Sequence, residues 1–345
     1  MKDAAIEAVL DRVTAHLNWS GAFDRGSGTV RRGRGVAIGF KASISPTTSI
    51  AIVNLYADGS CGLYCSTVDM GQGSDTAMAQ IVGEVLNLQA ETIRVVHPDT
   101  DVTPYDMATL GSRSTFHMGH AVRLAAEDAR DKVQALAREL GLPEGTNFSI
   151  PDLFNKKYGM QAGNIVGVGS FIPSYTPPNY ETGLTPNATP FWMIGGTGAE
   201  VEVDTETGHV KVSRLINVAD LGRPINPKIV ETQLSGASLM QLGFTMFEKM
   251  QFDGGQVTNA SLADYKIPGI LDVPATIENE AVDAVQHSGP FGAKGVGESG
   301  TFSVSPAIAN AIDDAVGVRL TELPLNPEAV FRALRAKANR PLPDA

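Results

Sequence analysis

The chain has 345 residues, of which 43% are hydrophobic and 19% charged, and a formal net charge of −11. At about 100–200 residues per domain this allows roughly two domains with a sizeable core, and the apolar content excludes wholesale disorder. The acidic surplus argues against a nucleic-acid partner, whose phosphates call for a basic surface, and no apolar run approaches the roughly 20 residues of a membrane span.

Ile6, Val9, Leu10, Val13 and Leu17 form a helical stripe, so the N-terminus reads as an amphipathic helix rather than a secretory signal. The basic, glycine-rich run Gly26–Gly35 then reads as a solvated loop or, more sharply, as an anion contact. From Thr48 the period becomes two, and Asp58-Gly59 marks a hairpin turn. Cys61 and Cys65 fall on one sheet face of that hairpin. Two cysteines are too few for a disulfide framework, which suggests reduced thiols in a cytoplasmic protein. A helix capped by Ser74 or Asp75 follows, with Ala77, Met78, Ile81, Val82 and Val85 on its core face. TIRVVHPDT is a short strand, and a loop leads into a helix from about His120 to Leu140, stopped by Gly141 and Pro143. The segment 145–190 looks irregular. AEVEVDTETGHVKVSRLINVAD is a second hairpin, followed by a Pro/Gly loop, the helix VETQLSGASLMQLGFTMFE, a glycine-rich loop, and a helix opened by Ser305-Pro306 that ends at Gly317. The fold expected is α+β: two α/β subdomains with mixed sheets and β-hairpins. The divisions are an N-terminal helix and linker (1–30), a first subdomain (31–150), an irregular connection (151–190), a second subdomain (191–335) and a tail (336–345). Both halves run hairpin, loop, helix.

Three glycine loops precede helix starts: Gly71-Gln72-Gly73, Gly111-Ser112-Arg113-Ser114, and Gly295-Val296-Gly297-Glu298-Ser299-Gly300. Such loops are mostly turns, but their backbone N–H groups, with the helix dipole, also attract anions. Arg113 and its flanking hydroxyls suit a phosphate. No P-loop or Rossmann fingerprint is present, so a nucleoside triphosphatase is not supported. Glu298 reads plainly as a capping or surface carboxylate. In a tight, partly dry loop it would instead suit general-base work. The six histidines form no metal cluster, and His117 and His120 read as loop and helix-start residues.

Taken together and in order, DMGQGSDTAMAQI (69–81), TLGSRSTFHMGHAV (109–122), GAEVEVDTETGHVKVSRLINVADLGRPINP (198–227), ETQLSGASLMQLG (231–243), DYKIP (264–268) and KGVGESGTFSVSPAIANAI (294–312) resemble the xanthine dehydrogenase/aldehyde oxidase family of molybdenum hydroxylases. The resemblance spans about residues 31–335 and is confined to the C-terminal part of the family's molybdenum chain. It implies a naturally split medium molybdopterin subunit, similar to that of nicotinate dehydrogenase-type enzymes.

By that resemblance the metal is held by a pterin dithiolene and not by protein side chains, and the cofactor is expected in its cytosine dinucleotide form. Gly71, Gln72 and Gly73 would contact the pterin or phosphate portion, and Gly111 would lie near the molybdenum. Ser112, Arg113 and Ser114 would donate to phosphates, and Gln233 would hydrogen-bond the pterin. Lys294, Gly295 and Gly297 would complete the cofactor wall, with Glu298 as the catalytic base. The implied reaction hydroxylates an N-heterocycle or aldehyde with oxygen from water, passing electrons to 2Fe-2S and FAD subunits. A large molybdopterin subunit would supply the other half of the site. The alternative is a non-catalytic cofactor carrier or assembly module of the same fold. A site assembled from two chains also implies a sizeable exposed apolar patch on this one.

Overall fold

In a computed structural model, which describes residues 3–340 apart from 44–46, 144–147, 160, 162 and 285, the apolar periodicities resolve into two mixed sheets with helices packed on them. In chain order the elements are α1 (Ile6–His16), β1 (Val30–Ala42), β2 (Ser49–Tyr56), β3 (Cys61–Cys65), α2 (Ser74–Leu86), β4 (Ile93–Val96), α3 (Gly119–Glu139), α4 (Ile150–Tyr158), β5 (Asn164–Phe171), β6 (Trp192–Asp204), β7 (Val210–Asp220), α5 (Pro227–Met246), β8 (Phe252–Asp253), β9 (Gln256–Val257), β10 (Thr276–Val282), α6 (Val304–Val316) and α7 (Pro327–Lys337).

The first sheet has the order β4-β3-β2-β5 and the second β10-β7-β6-β1. They share one plan. A central antiparallel hairpin, β2–β3 or β6–β7, is followed by a helix, α2 or α5. A parallel edge strand, β4 or β10, comes next. A further helix, α3 or α6, then packs over the opposite edge strand, β5 or β1. The close approach of that helix has the same cause in both halves. A Cβ on Gly167 or Gly169 of β5 would lie 2.1 or 2.0 Å from the carbonyl oxygens of Ala125 and Ala121. On Gly33 or Gly35 of β1 it would lie 2.1 or 2.0 Å from those of Ala311 and Ala307. Only glycine on the strand and alanine on the helix let the two backbones approach this far.

Several expectations are corrected by this arrangement. The segment 151–190 is irregular only beyond residue 171, because its first part carries α4 and β5, the edge strand of the first sheet. The start of the first subdomain at residue 31 also fails, since β1 crosses over to pair with β6. The basic run is neither a solvated loop nor an anion contact. Arg34 is buried on β1, lies over the rings of Phe23 and Trp19, and donates to the carbonyls of Leu17, Asn18 and Trp19 beyond the end of α1. Arg32 is paired with Asp24 and Glu202. The start of α2 is held by Asp69, whose carboxylate accepts from the Asp75 N–H at 3.0 Å, and not by Ser74 or Asp75. Helix α6 begins at Val304, one residue before Ser305. Cys61 and Cys65 are buried free thiols, as the alternation indicated, and burial pushes both up to about 12. Among the described residues no helix is long and apolar enough to cross a membrane.

Helix α1 is not a linker element. It buries Val9, Val13 and Leu17 against the face of the second sheet opposite α6. At its end His16 contacts Glu278 at 2.8 Å and Glu280 at 2.7 Å on β10, with Arg12 and Arg214 beside the same carboxylates. The Glu280 hydrogen bond, opposed by partial burial and reinforced by Glu278, raises the His16 pKa. A raised folded-state value contributes stability below about pH 6.5 that is lost as pH climbs through the raised value. Thermal unfolding followed from about pH 6 to about pH 9 should therefore show a decline that His16→Gln partly removes. An identical decline in the variant would exclude this cluster as the source.

Candidate functional site

Four loops follow β3, β4, β7 and β10, and together they enclose a cleft of about 330 Å³ between the two halves. The starts of α2, of α5 and of a π-helical turn, Ser114–Met118, that leads into α3 all contribute to its lining. Three helix starts thus face one space, that of α2 with the Asp69 carboxylate already on its N–H groups. Its walls carry Leu110, Leu221, Ile225, Ile229 and Val296. Lys294, the one lysine or arginine among the described lining residues, has a fully buried side chain, and its ammonium is taken by Asp220 at 2.8 Å and the Asp3 carbonyl at 2.6 Å.

The loop after β3 is rigid by its own hydrogen bonds. Gln72 donates to the Val68 carbonyl at 2.7 Å and to Ser74 Oγ at 3.2 Å, and accepts from the Met70 N–H at 2.7 Å. Burial would raise the Asp69 pKa, but the N–H groups of Gly71, Asp75 and Gly73 outweigh it and lower the value. Gly71 (φ 105°) and Gly73 (φ 76°) adopt left-handed backbone, and Gly73 also packs against Ile229. At Gly71 nothing stands within 4 Å of a Cβ, so the conformation alone requires glycine there.

The loops after β4 and β10 are locked together. Gly111 (φ 60°) and Ser112 (φ 57°) are consecutive left-handed residues, unusual for a serine. Ser112 Oγ accepts from the Glu298 N–H at 3.0 Å and donates to Glu298 Oε2 at 3.0 Å. A Cβ on Gly295 would come within 1.6 Å of the Ser112 carbonyl oxygen. A Cβ on Gly297 would meet only Ser112 Oγ, at 3.3 Å, so that glycine leaves room in the cleft. Gln233 Nε2 donates to the Gly297 carbonyl at 2.7 Å and ties this loop to α5.

Glu298 lines the cleft and receives two donors on Oε2, Ser112 and the ammonium of Lys41. Among the described residues Oε1 has no partner. The carboxylate is less dry than expected, since the side chain is 40% exposed on the open side of the cleft. Lys41 was not singled out in the sequence. It is 257 positions from Glu298, and no local signal marks it.

The structure thus brings Gly73, Gly111, Ser112, Ser114, Gln233, Gly295, Gly297 and Glu298 to one cleft, with Gln72 and the backbone of Lys294. Gly71 lines a smaller adjoining hollow with Gln72, Gly73 and Gln233. Arg113 points elsewhere. Its guanidinium is fully buried and donates to Asp106 at 2.6 Å, the Ala108 carbonyl at 2.9 Å and Ser49 Oγ at 2.9 Å. It holds the 103–110 loop to β2 and does not face the cleft, which corrects its reading as an anion contact. Thr115, Asn226 and Ile229, in contrast, line the cleft without having been singled out. His117 and His120 pack between the halves. Burial, helped by the Arg113 charge, pushes His117 down to about 4. Burial also lowers His120, which stacks on Phe171 at 4.2 Å and contacts the Ser288 carbonyl at 2.5 Å.

A flat group with apolar faces and anionic oxygens fits these surroundings: helix N-termini and glycine backbone for the anion, aliphatic side chains for the faces. Among the described residues no three His, Cys, Asp or Glu side chains are grouped to hold a metal ion. A metal beside Glu298 would bring its own ligands.

A family model described as the molybdopterin cofactor-binding domain matches residues 12–274. A probable hypoxanthine oxidase of Escherichia coli K12 is 32% identical over 350 residues, taking in 96% of this chain and 35% of that protein. The nicotine 6-hydroxylase large subunit of Paenarthrobacter nicotinovorans is 32% identical over 299 residues, 83% of this chain and 36% of the other. Among solved structures, the aldehyde oxidoreductase of Desulfovibrio desulfuricans superposes with a TM-score of 0.77 and 29% identity, covering 95% of this chain and 34% of its own. The chain spans about a third of the length of these relatives.

The loop contacts make two glycines differ in a measurable way. Gly295→Ala forces apart two backbones and should cost about 3 kcal/mol in denaturant unfolding. Gly71→Ala meets open space and should cost only the left-handed backbone strain, about 1 kcal/mol. Equal costs would mean that the two loops are not in contact.

Proposed function

Because the chain belongs to the xanthine dehydrogenase/aldehyde oxidase family of molybdenum hydroxylases, we propose that it forms one wall of a molybdopterin site and carries that site's general base. The observation that supports this most directly is Glu298: a cleft-lining carboxylate with one oxygen pinned by Ser112 and Lys41 and the other free of protein partners among the described residues. When bound, the molybdenum–pterin group supplies the two-electron redox centre and makes water acidic enough to serve as the oxygen source.

The chain's own residues do the rest. Ser114 and Thr115, at the opening of the π-helical turn, receive the anionic portion of the cofactor through backbone N–H groups and hydroxyls, while Gly73, whose own N–H goes to Asp69, leaves room beside them. A pyrophosphate suits these positions, in keeping with the cytosine dinucleotide form. Gln72 supports this contact by bracing its loop. Gln233 fixes Gly297, whose lack of a side chain keeps the cleft open beside the base. Glu298 takes a proton at Oε1 from the water oxygen that enters the product.

The substrate class is an N-heterocycle or an aldehyde. Two of the relatives are named for hypoxanthine and nicotine, both nitrogen heterocycles, which favours the first. The electrons pass to 2Fe-2S and FAD centres on partner polypeptides. Cys61 and Cys65, buried and with pKa values pushed up to about 12, are poor sources of thiolate ligands for a cluster. Reduced thiols also suit a cytoplasmic setting.

Partner polypeptides would also close the open side of the cleft. Met70 and Leu110 are exposed apolar residues at its rim, and Val68, Met107, Met240, Phe244, Ile270 and Leu271 are exposed elsewhere. Apolar side chains left in water in this number suit a covered surface.

Two experiments on the complex assembled with its partners test this reading. Glu298→Gln should lower kcat by roughly 10²–10⁴-fold while molybdenum content stays at the parent level. Turnover within a few-fold of the parent at full metal content would remove Glu298 from the base role. Met70→Asp with Leu110→Asp should reduce co-purification of the large molybdopterin subunit. Unchanged recovery would show that this rim is not the contact surface.

A further inference from the structure

The Glu298–Phe302 segment crosses β1 and β6 at two glycines. A Cβ on Gly39 would lie 2.4 Å from the Phe302 ring, and one on Gly195 would lie 2.3 Å from the Ser299 carbonyl. This close passage brings Lys41, two residues beyond Gly39 on the same strand, beside Glu298. Their side chains are 34% and 40% exposed, and the ammonium contacts Oε2, the oxygen that also receives the Ser112 hydroxyl. Among the described residues Lys41 is the one cation within ion-pair distance of Glu298. Lys294, the other lysine near this loop, is consumed by Asp220.

We infer that Lys41 is a positioning residue for the base: with Ser112 it fixes Oε2, so that Oε1 is the oxygen turned to the reacting water. A carboxylate with free torsions would present either oxygen, and neither consistently. Two convergent donors, one cationic and one from a left-handed residue, restrict it to one rotamer and one face. Lys41 itself touches neither substrate nor cofactor in this scheme and acts only through Glu298. The inference rests on the reading of Glu298 as the base.

The assembled complex tests it in three ways. Treatment with a water-soluble carbodiimide should join Lys41 to Glu298 through an amide, with loss of one water, seen by peptide mass spectrometry. Recovery of both peptides without the joined species overturns the pairing. Lys41→Met should lower kcat roughly 10- to 100-fold with KM moved less than about threefold and molybdenum content unchanged, and Lys41→Arg should recover most of the loss. A kcat within about twofold of the parent in Lys41→Met overturns the inference, and so does an arginine variant no better than methionine. Should Lys41→Met fail to assemble, Lys41→Gln is held to the same two limits. Finally, Lys41→Met combined with Glu298→Gln should be no slower than Glu298→Gln alone, because the two act as one unit. A further tenfold loss in the double variant would give Lys41 a separate role. If Glu298→Gln alone is active, the base reading fails irrespective of Lys41, while the carbodiimide result still reports on the pairing.

Discussion

The cleft depends on one contact, the meeting of the loop after β4 with the loop after β10. Ser112 and Glu298 exchange hydrogen bonds in both directions, and the Gly295 backbone lies against the Ser112 carbonyl. Two half-units of the same plan are thereby joined at equivalent loops. Beneath the contact, the buried Lys294–Asp220 pair and the bond from the Lys294 N–H to the Leu221 carbonyl hold the second loop to the end of β7. A buried ion pair of this kind does more for geometry than for stability, since desolvation offsets much of the attraction. Ser112 accepts a left-handed backbone, which costs of order 1–2 kcal/mol for a residue with a Cβ. The two hydrogen bonds to Glu298 are the compensation the structure shows.

The electrostatics of the site follow from where the cations are not. Arg113 reads as an anion-binding group in the sequence, and Lys294 stands in the cofactor wall that the resemblance implies; both are neutralised by a buried carboxylate, Asp106 or Asp220. Positive potential in the cleft therefore comes from the starts of α5 and of the π-helical turn and from backbone N–H groups, which are fixed by the fold, while Asp69 offsets the start of α2. Lys41 stands apart at the open side and is committed to Glu298.

The parts legible in the sequence were those carried by short-range signals. Alternation around Asp58-Gly59 and around the TETG turn marked both hairpins, and glycine loops before apolar-periodic segments marked the cleft loops and the helices behind them. What escaped depends on distant partners. The glycines of β1 and β5 read as loop residues because they lack side chains, yet they are glycine because a helix backbone presses on the strand. Arg34 reads as part of a solvated or anion-contacting loop and Arg113 as a phosphate contact, because the carbonyls and the carboxylate that bury them take their places only in the fold. Lys41 had no local mark at all, since its partner arrives from the far end of the chain.

The central claim is that the space bounded by Gly73, Gly111, Ser114, Gly297 and Glu298 holds the molybdenum cofactor. Anomalous X-ray diffraction across the molybdenum absorption edge, on crystals of the chain assembled with its partners, tests it most directly. The expected result is a single strong anomalous peak inside this cleft for each copy of the chain. A peak outside the cleft, or fully active crystals with none there, would contradict it.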